Sequence, residues 1–317
     1  DIDLDNILKK ENILALGDSH TFAIGASTNQ TWPNVLENLF KQNGKEINVH
    51  NAGGVGYSFG QYVIQYRRLK EYLKPKKVIV GFSLATDLYD IILPNNGQFI
   101  YGGSYGRAYF DLDDNNNLIE KRELVGVKNI KNVLNSKEKT NSISKLQRLL
   151  QFLKKNSAMY RISKRSKIAY AIASFFSKGG KGGLIPGTAS VVSINLSDEM
   201  KWRWLIIEKL IVELNKEVKL NGADLYLVFI PYVPQLYDEV WNSSFGIDKS
   251  NFSRYIGQKR LKDICQKNKI NCVDTTSNMK KRSDELGEWL HYPYDAHPTP
   301  EGHRVIANTI FNYLKRS

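Results

Sequence analysis

A serine stands where an apolar run ends, in Asn12-Ile-Leu-Ala-Leu-Gly-Asp-Ser19. Near the other end of the chain, Asp295-Ala-His297-Pro places a carboxylate and an imidazole two residues apart. A serine hydroxyl is a poor nucleophile at neutral pH; it needs a base to take its proton and a third group to orient that base. The two ends of the chain hold all three parts. Each motif alone is common. Together they point to nucleophilic chemistry at Ser19, with His297 as the base and Asp295 as the acid that orients it.

The elements between them must bring these groups together. Short apolar, β-branched runs at 13–16, 47–50, 78–82, 225–230 and 271–274 read as five strands. Helical patterns separate them. Thr31 reads as an N-cap with Pro33 in the first turn and Val35, Leu36, Leu39 and Phe40 on one face. A helix is expected over 59–73, and Trp204, Ile207, Ile211, Leu214 and Val218 mark another over 200–220, stopped by Asn221-Gly222. Residues 261–265 sit on a helix before the fifth strand, and Thr299-Pro300 caps a last one with Val305, Ile306, Ile310 and Leu314 inward. Continuous apolar strands alternating with helices predict a parallel sheet covered on both faces. Ligands of such sheets bind beyond the carboxyl ends of the strands. Ser19 follows the first strand, Gly56 the second and Thr86-Asp87 the third, so all gather at one rim.

Regular alternation breaks between 93 and 197, which reads as an insertion into a single domain spanning 1–317. Tyr109-Phe-Asp-Leu-Asp-Asp-Asn-Asn-Asn reads as a hairpin around an Asp/Asn turn. Residues 142–176 read as basic amphipathic helices, and Gly179-Gly-Lys-Gly-Gly183 lacks the spacing of a phosphate loop. The net charge of +13 is concentrated here: from Lys139 to Leu196 there is no Asp or Glu. A solvated helix face is the plain reading; contact of the 139–196 stretch with an anionic membrane or polymer is the other. The run lacks the interleaved stacking aromatics of a nucleic-acid surface, so no nucleic-acid partner is expected. No apolar stretch reaches the ~18–20 residues that span a bilayer. The chain opens on Asp1 rather than Met, which fits removal of an upstream segment. Cys265 and Cys272 read as two buried thiols, with a disulfide as the alternative in an oxidising compartment. Their spacing does not suit zinc, and neither a metal nor a cofactor is expected.

In ensemble, four blocks resemble the SGNH (GDSL-type) hydrolase superfamily. Gly17-Asp18-Ser19 matches its nucleophile block, and Asn51-Ala-Gly-Gly-Val-Gly56-Tyr is similar to its glycine block. Gly81-Phe-Ser-Leu-Ala-Thr86-Asp87 stands where the family has an Asn-Asp block, and Asp295-Ala-His297-Pro is similar to the closing block. Leu227-Val-Phe-Ile-Pro231 and the hairpin resemble one extracytoplasmic bacterial branch. The resemblance implies a three-layer α/β/α sandwich, flavodoxin-like, with a five-stranded parallel sheet and a long insertion after the third strand. It implies a catalytic triad of Ser19, His297 and Asp295. Backbone N–H groups of Ser19 and Gly56 would hold the oxyanion, with a side-chain donor from the third block.

That donor is an asparagine in the family and Thr86 here, a shorter group with one hydrogen to give; losing an oxyanion donor typically costs ~10²–10³ in rate. Asp87 is a candidate for lining the substrate pocket, with bracing of its loop as the alternative. The implied activity is a serine esterase that deacylates, acetyl first, a glycan, an envelope-related ester or a small ester. Two alternatives stay open: an O-acyltransferase that discharges the same acyl-serine onto a sugar, and a catalytically weak or inactive glycan- or lipid-binding relative. The branch resemblance implies an extracytoplasmic location. Of the neighbouring residues, Asp18 reads as bracing the turn, His20 as pointing away from the site, His303 as structural, and Trp202 and Trp204 as helix packing.

Overall fold

The structure is a computed structural model and describes residues 9–91, 109–121, 188–245, 250–293 and 296–316. In chain order, β1 (Glu11–Gly17) runs into a one-turn helix α1 (Ser19–Phe22), and α2 (Trp32–Gln42) leads to β2 (Ile47–Asn51). Then come α3 (Phe59–Leu73), β3 (Lys77–Ser83), α4 (Leu84–Tyr89) and the hairpin β4 (Tyr109–Leu112) and β5 (Leu118–Lys121). After α5 (Thr188–Val191), the long α6 (Asp198–Leu220) feeds β6 (Asp224–Ile230), followed by α7 (Val233–Leu236) and α8 (Asp238–Phe245). The chain closes with α9 (Ile256–Asn268), β7 (Asn271–Asp274), α10 (Thr276–Leu286) and α11 (Pro300–Leu314).

Five strands form one parallel sheet in the order β2-β1-β3-β6-β7. Counting only the strands of this sheet, the order is 2-1-3-4-5, the doubly wound arrangement with its switch point between β1 and β3. Alternate residues serve opposite faces. Leu14, Leu16, Val78, Val80, Phe82, Leu225 and Leu227 pack with α3, α6 and α9 on one side. Ile13, Ala15, Val49, Ile79, Val228 and Ile230 pack with α2 and α11 on the other. The result is the expected α/β/α sandwich, and the five strands fall where the apolar runs predict them.

Thr31 accepts a hydrogen bond from the Asn34 N–H to cap α2, and Thr299 does the same for Gly302 at the start of α11, each with proline in the first turn. The hairpin is present and lies over the α3–α6 side, where Arg67 of α3 binds Glu120 of β5 and Glu217 of α6. Cys265 of α9 and Cys272 of β7 are joined as a disulfide, with Cα atoms 6.3 Å apart, which corrects the reading as two free thiols. The expected basic helices at 142–176, the 179–183 joint and most of the 93–197 insertion lie outside the described residues. Among the described residues, no helix is long and apolar enough to cross a membrane.

Candidate active site

Ser19 stands two residues beyond the end of β1, as the first residue of α1. Asp18 caps this turn, accepting the His20 N–H at 2.8 Å. The His297 Nε2 reaches the Ser19 Oγ at 2.8 Å, although 278 residues separate them in sequence. A loop between β-bridged His291 and Pro298 presents this imidazole. Within it, the Tyr292 N–H donates to the His297 carbonyl at 2.9 Å, the Ala296 N–H donates to Tyr292 at 3.1 Å, and Ala296 takes a left-handed φ of 57°. Tyr292 Oη also donates to the Gly25 carbonyl at 2.8 Å, tying the loop to the segment that follows the serine. Asp295, the expected third member, lies outside the described residues.

The glycine block folds onto the serine turn. Asn51 Nδ2 donates to the Thr21 carbonyl at 3.0 Å, and the Gly54 N–H donates to the Gly17 carbonyl at 3.0 Å. A Cβ at Gly53 would lie 2.4 Å from the Phe22 nitrogen, so only glycine permits this approach. Gly56 then turns with a φ of 68°. Phe22 and Val55, on the two segments so joined, are exposed apolar side chains at the rim.

The third block meets the site differently from expectation. Thr86 Oγ1 donates to Asp18 Oδ2 at 2.5 Å, so the hydrogen that would serve an oxyanion is directed to a buried carboxylate. Asp87 does not line a pocket. It is fully buried, accepting the Tyr62 hydroxyl at 2.5 Å and the Ser83 N–H at 2.8 Å, which corrects its reading as a substrate contact in favour of a brace at the end of β3. Burial and then the nearby Asp18 charge push the Asp87 carboxyl well above its ordinary range. For Asp18, burial acts upward but is outweighed by the charge and hydrogen bonds of His20 and the bond from Thr86, leaving it below the ordinary carboxylate value.

Four of the five histidines converge here, three from residues 291–303 and one from the serine turn. His20 does not point away: it is buried, its Nδ1 lies 3.1 and 3.2 Å from the two Asp18 oxygens, and its ring sits 4.8 Å from the His297 ring at a tilt of 36°. His291 and His303 are fully buried. Burial, followed by the charges of His20 and His297, drops each to about 3. Among the described residues no group of three or more His, Cys, Asp or Glu is arranged to hold a metal ion.

No protein-family profile matches this sequence, and no curated protein matches it either. Solved structures do. An esterase from Pseudoalteromonas sp. shares 11% identity over 96% of this chain and 97% of its own, with a TM-score of 0.45. A member of the lipolytic G-D-S-L family from Veillonella parvula shares 10% over 97% of this chain and 100% of its own, at 0.44. An acetylxylan esterase from Geobacillus stearothermophilus, in a catalytic mutant, shares 13% over 95% of this chain and 93% of its own, also at 0.44. The chain is similar, at low identity and over nearly its whole length, to two esterases and to a member of the lipolytic G-D-S-L family.

Proposed function

We propose that this chain is an SGNH-type serine ester hydrolase. The observation that carries the reading is the 2.8 Å contact between Ser19 Oγ and His297 Nε2 at the carboxyl end of a parallel sheet. This is the distance at which a base takes a proton. His297 removes the hydroxyl proton as Ser19 Oγ bonds to the ester carbonyl carbon. The carbonyl oxygen becomes an oxyanion, held by the backbone N–H groups of Ser19 and Gly56. The bond from that carbon to the alcohol oxygen then breaks, and the proton passes from His297 to the leaving alcohol. Water repeats the sequence on the acyl-serine, giving up a proton to His297, releasing the acid and restoring the serine. Asp295, through its place two residues before His297, is the group we assign to orient the imidazole.

With Thr86 turned to Asp18, the oxyanion site rests on backbone donors, which favours a slow enzyme over an efficient one. The substrate we infer is an acetylated or otherwise acylated glycan; the support is the branch resemblance of the sequence. Location outside the cytoplasm is supported by the Cys265–Cys272 disulfide. The anionic surface contact inferred for 139–196 rests on its lack of acidic residues, and sedimentation with anionic vesicles at low and high salt tests it. For the activity itself, the test is labelling by a serine-directed organophosphonate and turnover of an acetyl-aryl ester, with and without sugar acceptors. Label at Ser19 and acetate release support the hydrolase; acetyl transfer to the sugar makes it an acyltransferase; no label at Ser19 removes both.

A further inference from the structure

The Asp18–His20 pair has no part in the acyl-transfer steps above, yet it lies against their base. Asp18 is 1% exposed, and a carboxylate so buried needs an opposite charge and donors to remain ionised. It has the donors: the His20 N–H at 2.8 Å, His20 Nδ1 at 3.1 Å and the Thr86 hydroxyl at 2.5 Å. Among the described residues, its ion-pair partner is His20. The neighbouring carboxyl, Asp87, is bonded to Tyr62 and is the one of the two driven toward the neutral form. The negative charge of this buried corner therefore belongs to Asp18. Among the described residues, the compensating positive charge has one place to sit, on His20.

We propose that His20 stands as an imidazolium on Asp18 and, through its 4.8 Å approach to the His297 ring, holds His297 in the free-base form that can take the Ser19 proton. It is a positioning residue, since it acts on the base and not on the substrate. The proposal rests on the assignment of His297 as the base. A cation at this distance disfavours a second one, by half a pH unit in a water-like medium and by two or more units at the lower dielectric of a protein interior, as an order-of-magnitude estimate. Among the described residues, the other titratable groups around the two rings are His291 and His303 of α11, with both imidazoles neutral near pH 7, and Asp87 beside Asp18. Asp295 stands two residues before His297 in the sequence and lies outside the described residues. An imidazolium fixed on Asp18 extends activity toward mildly acidic pH, because the base stays deprotonated there.

The test is a titration of the full chain labelled with ¹⁵N-histidine, followed by NMR, beside the pH profile of kcat/KM on an acetyl-aryl ester. In the native chain, His20 is expected to lose its proton at a higher pH than His297. In His20→Gln, whose side-chain amide can still donate to Asp18, the His297 midpoint and the acid limb of kcat/KM are expected to rise together by about half a unit to two units. Asp18→Asn is expected to lower the His20 midpoint. His20 titrating below His297 in the native chain overturns the proposal, and this needs no variant to fold. An unmoved His297 midpoint in folded His20→Gln overturns it as well. Absence of any ester turnover in the native chain speaks against the hydrolase reading instead, and the NMR titration still decides the charge on His20.

Discussion

With one hydroxyl hydrogen, Thr86 can serve Asp18 or a developing oxyanion, and in the resting structure it serves Asp18. Thr86→Val keeps the shape and removes that hydrogen. We expect kcat to fall by less than about tenfold, where the loss of a true oxyanion donor costs ~10²–10³. We also expect stability to drop by about 1–3 kcal/mol, because a buried carboxylate loses a donor. Ester turnover and urea denaturation check the two halves; a hundredfold loss of rate with unchanged stability would return Thr86 to the oxyanion. Ser19→Ala should do the reverse, abolishing turnover while leaving the thermal midpoint almost unmoved, since the partly buried Oγ bonds to His297 and alanine keeps the Cβ. Retained turnover would remove Ser19 as nucleophile. Ser19 and His297 were legible because a strand end and a Pro-capped helix bracket them. The His20 contact was not, because a residue beside the nucleophile carries no sequence signal for which way its ring turns. Asp87 was ambiguous for a similar reason: burial by Tyr62, 25 residues away, depends on how α3 crosses the sheet.

Elements with a continuous apolar run or a full apolar stripe were legible to within a residue or two: all five strands of the sheet, α3 and α6 among them. Those without were not. α10 buries Thr276, Met279 and Ser283, of which one is apolar, so no hydrophobic stripe marks it. α4 and α7 are too short for a period to show. Arg203 is the further case. On a charged helix an arginine reads as surface, yet here it is 2% exposed and donates to the carbonyls of Leu88 at 2.7 Å and Ile91 at 3.2 Å. It thereby ties α6 to the end of α4, the element that carries Thr86 and Asp87. Arg203→Met fills much of the space but leaves two carbonyls without that donor. We expect a loss of about 2–4 kcal/mol, read as a lower denaturation midpoint, and a weaker hold on the α4 turn. An unchanged midpoint would show that α4 is held by its apolar packing alone.

At the scale of the whole molecule, two buried imidazoles set how the fold meets acid. His291 and His303 each sit at about 3 in the folded chain, against an ordinary value near 6.5, because burial and neighbouring histidine charges oppose protonation. Unfolded, both take up a proton as pH drops below about 6.5; folded, they do not until pH approaches 3. Their contribution to stability is therefore complete above the unfolded value and is lost as pH falls through that window. By pH 5 each costs about 2 kcal/mol relative to pH 7.5. The two buried carboxylates act differently, and Asp87 offsets part of this loss. Asp18, held low, loses its contribution only below the ordinary carboxylate range, and Asp87, held high, shifts stability the opposite way as it takes a proton. His303 offers the cleaner test, because neither ring nitrogen has a hydrogen-bond partner among the described residues. His303→Leu removes the titration without orphaning a partner, so stability at pH 7.5 should hold or improve. The loss between pH 7.5 and pH 5, measured by urea denaturation, should shrink by about 2 kcal/mol. An unchanged acid loss in the folded variant would mean that His303 gains its proton in the native state as easily as in the unfolded chain, and the acid sensitivity would then rest on other groups.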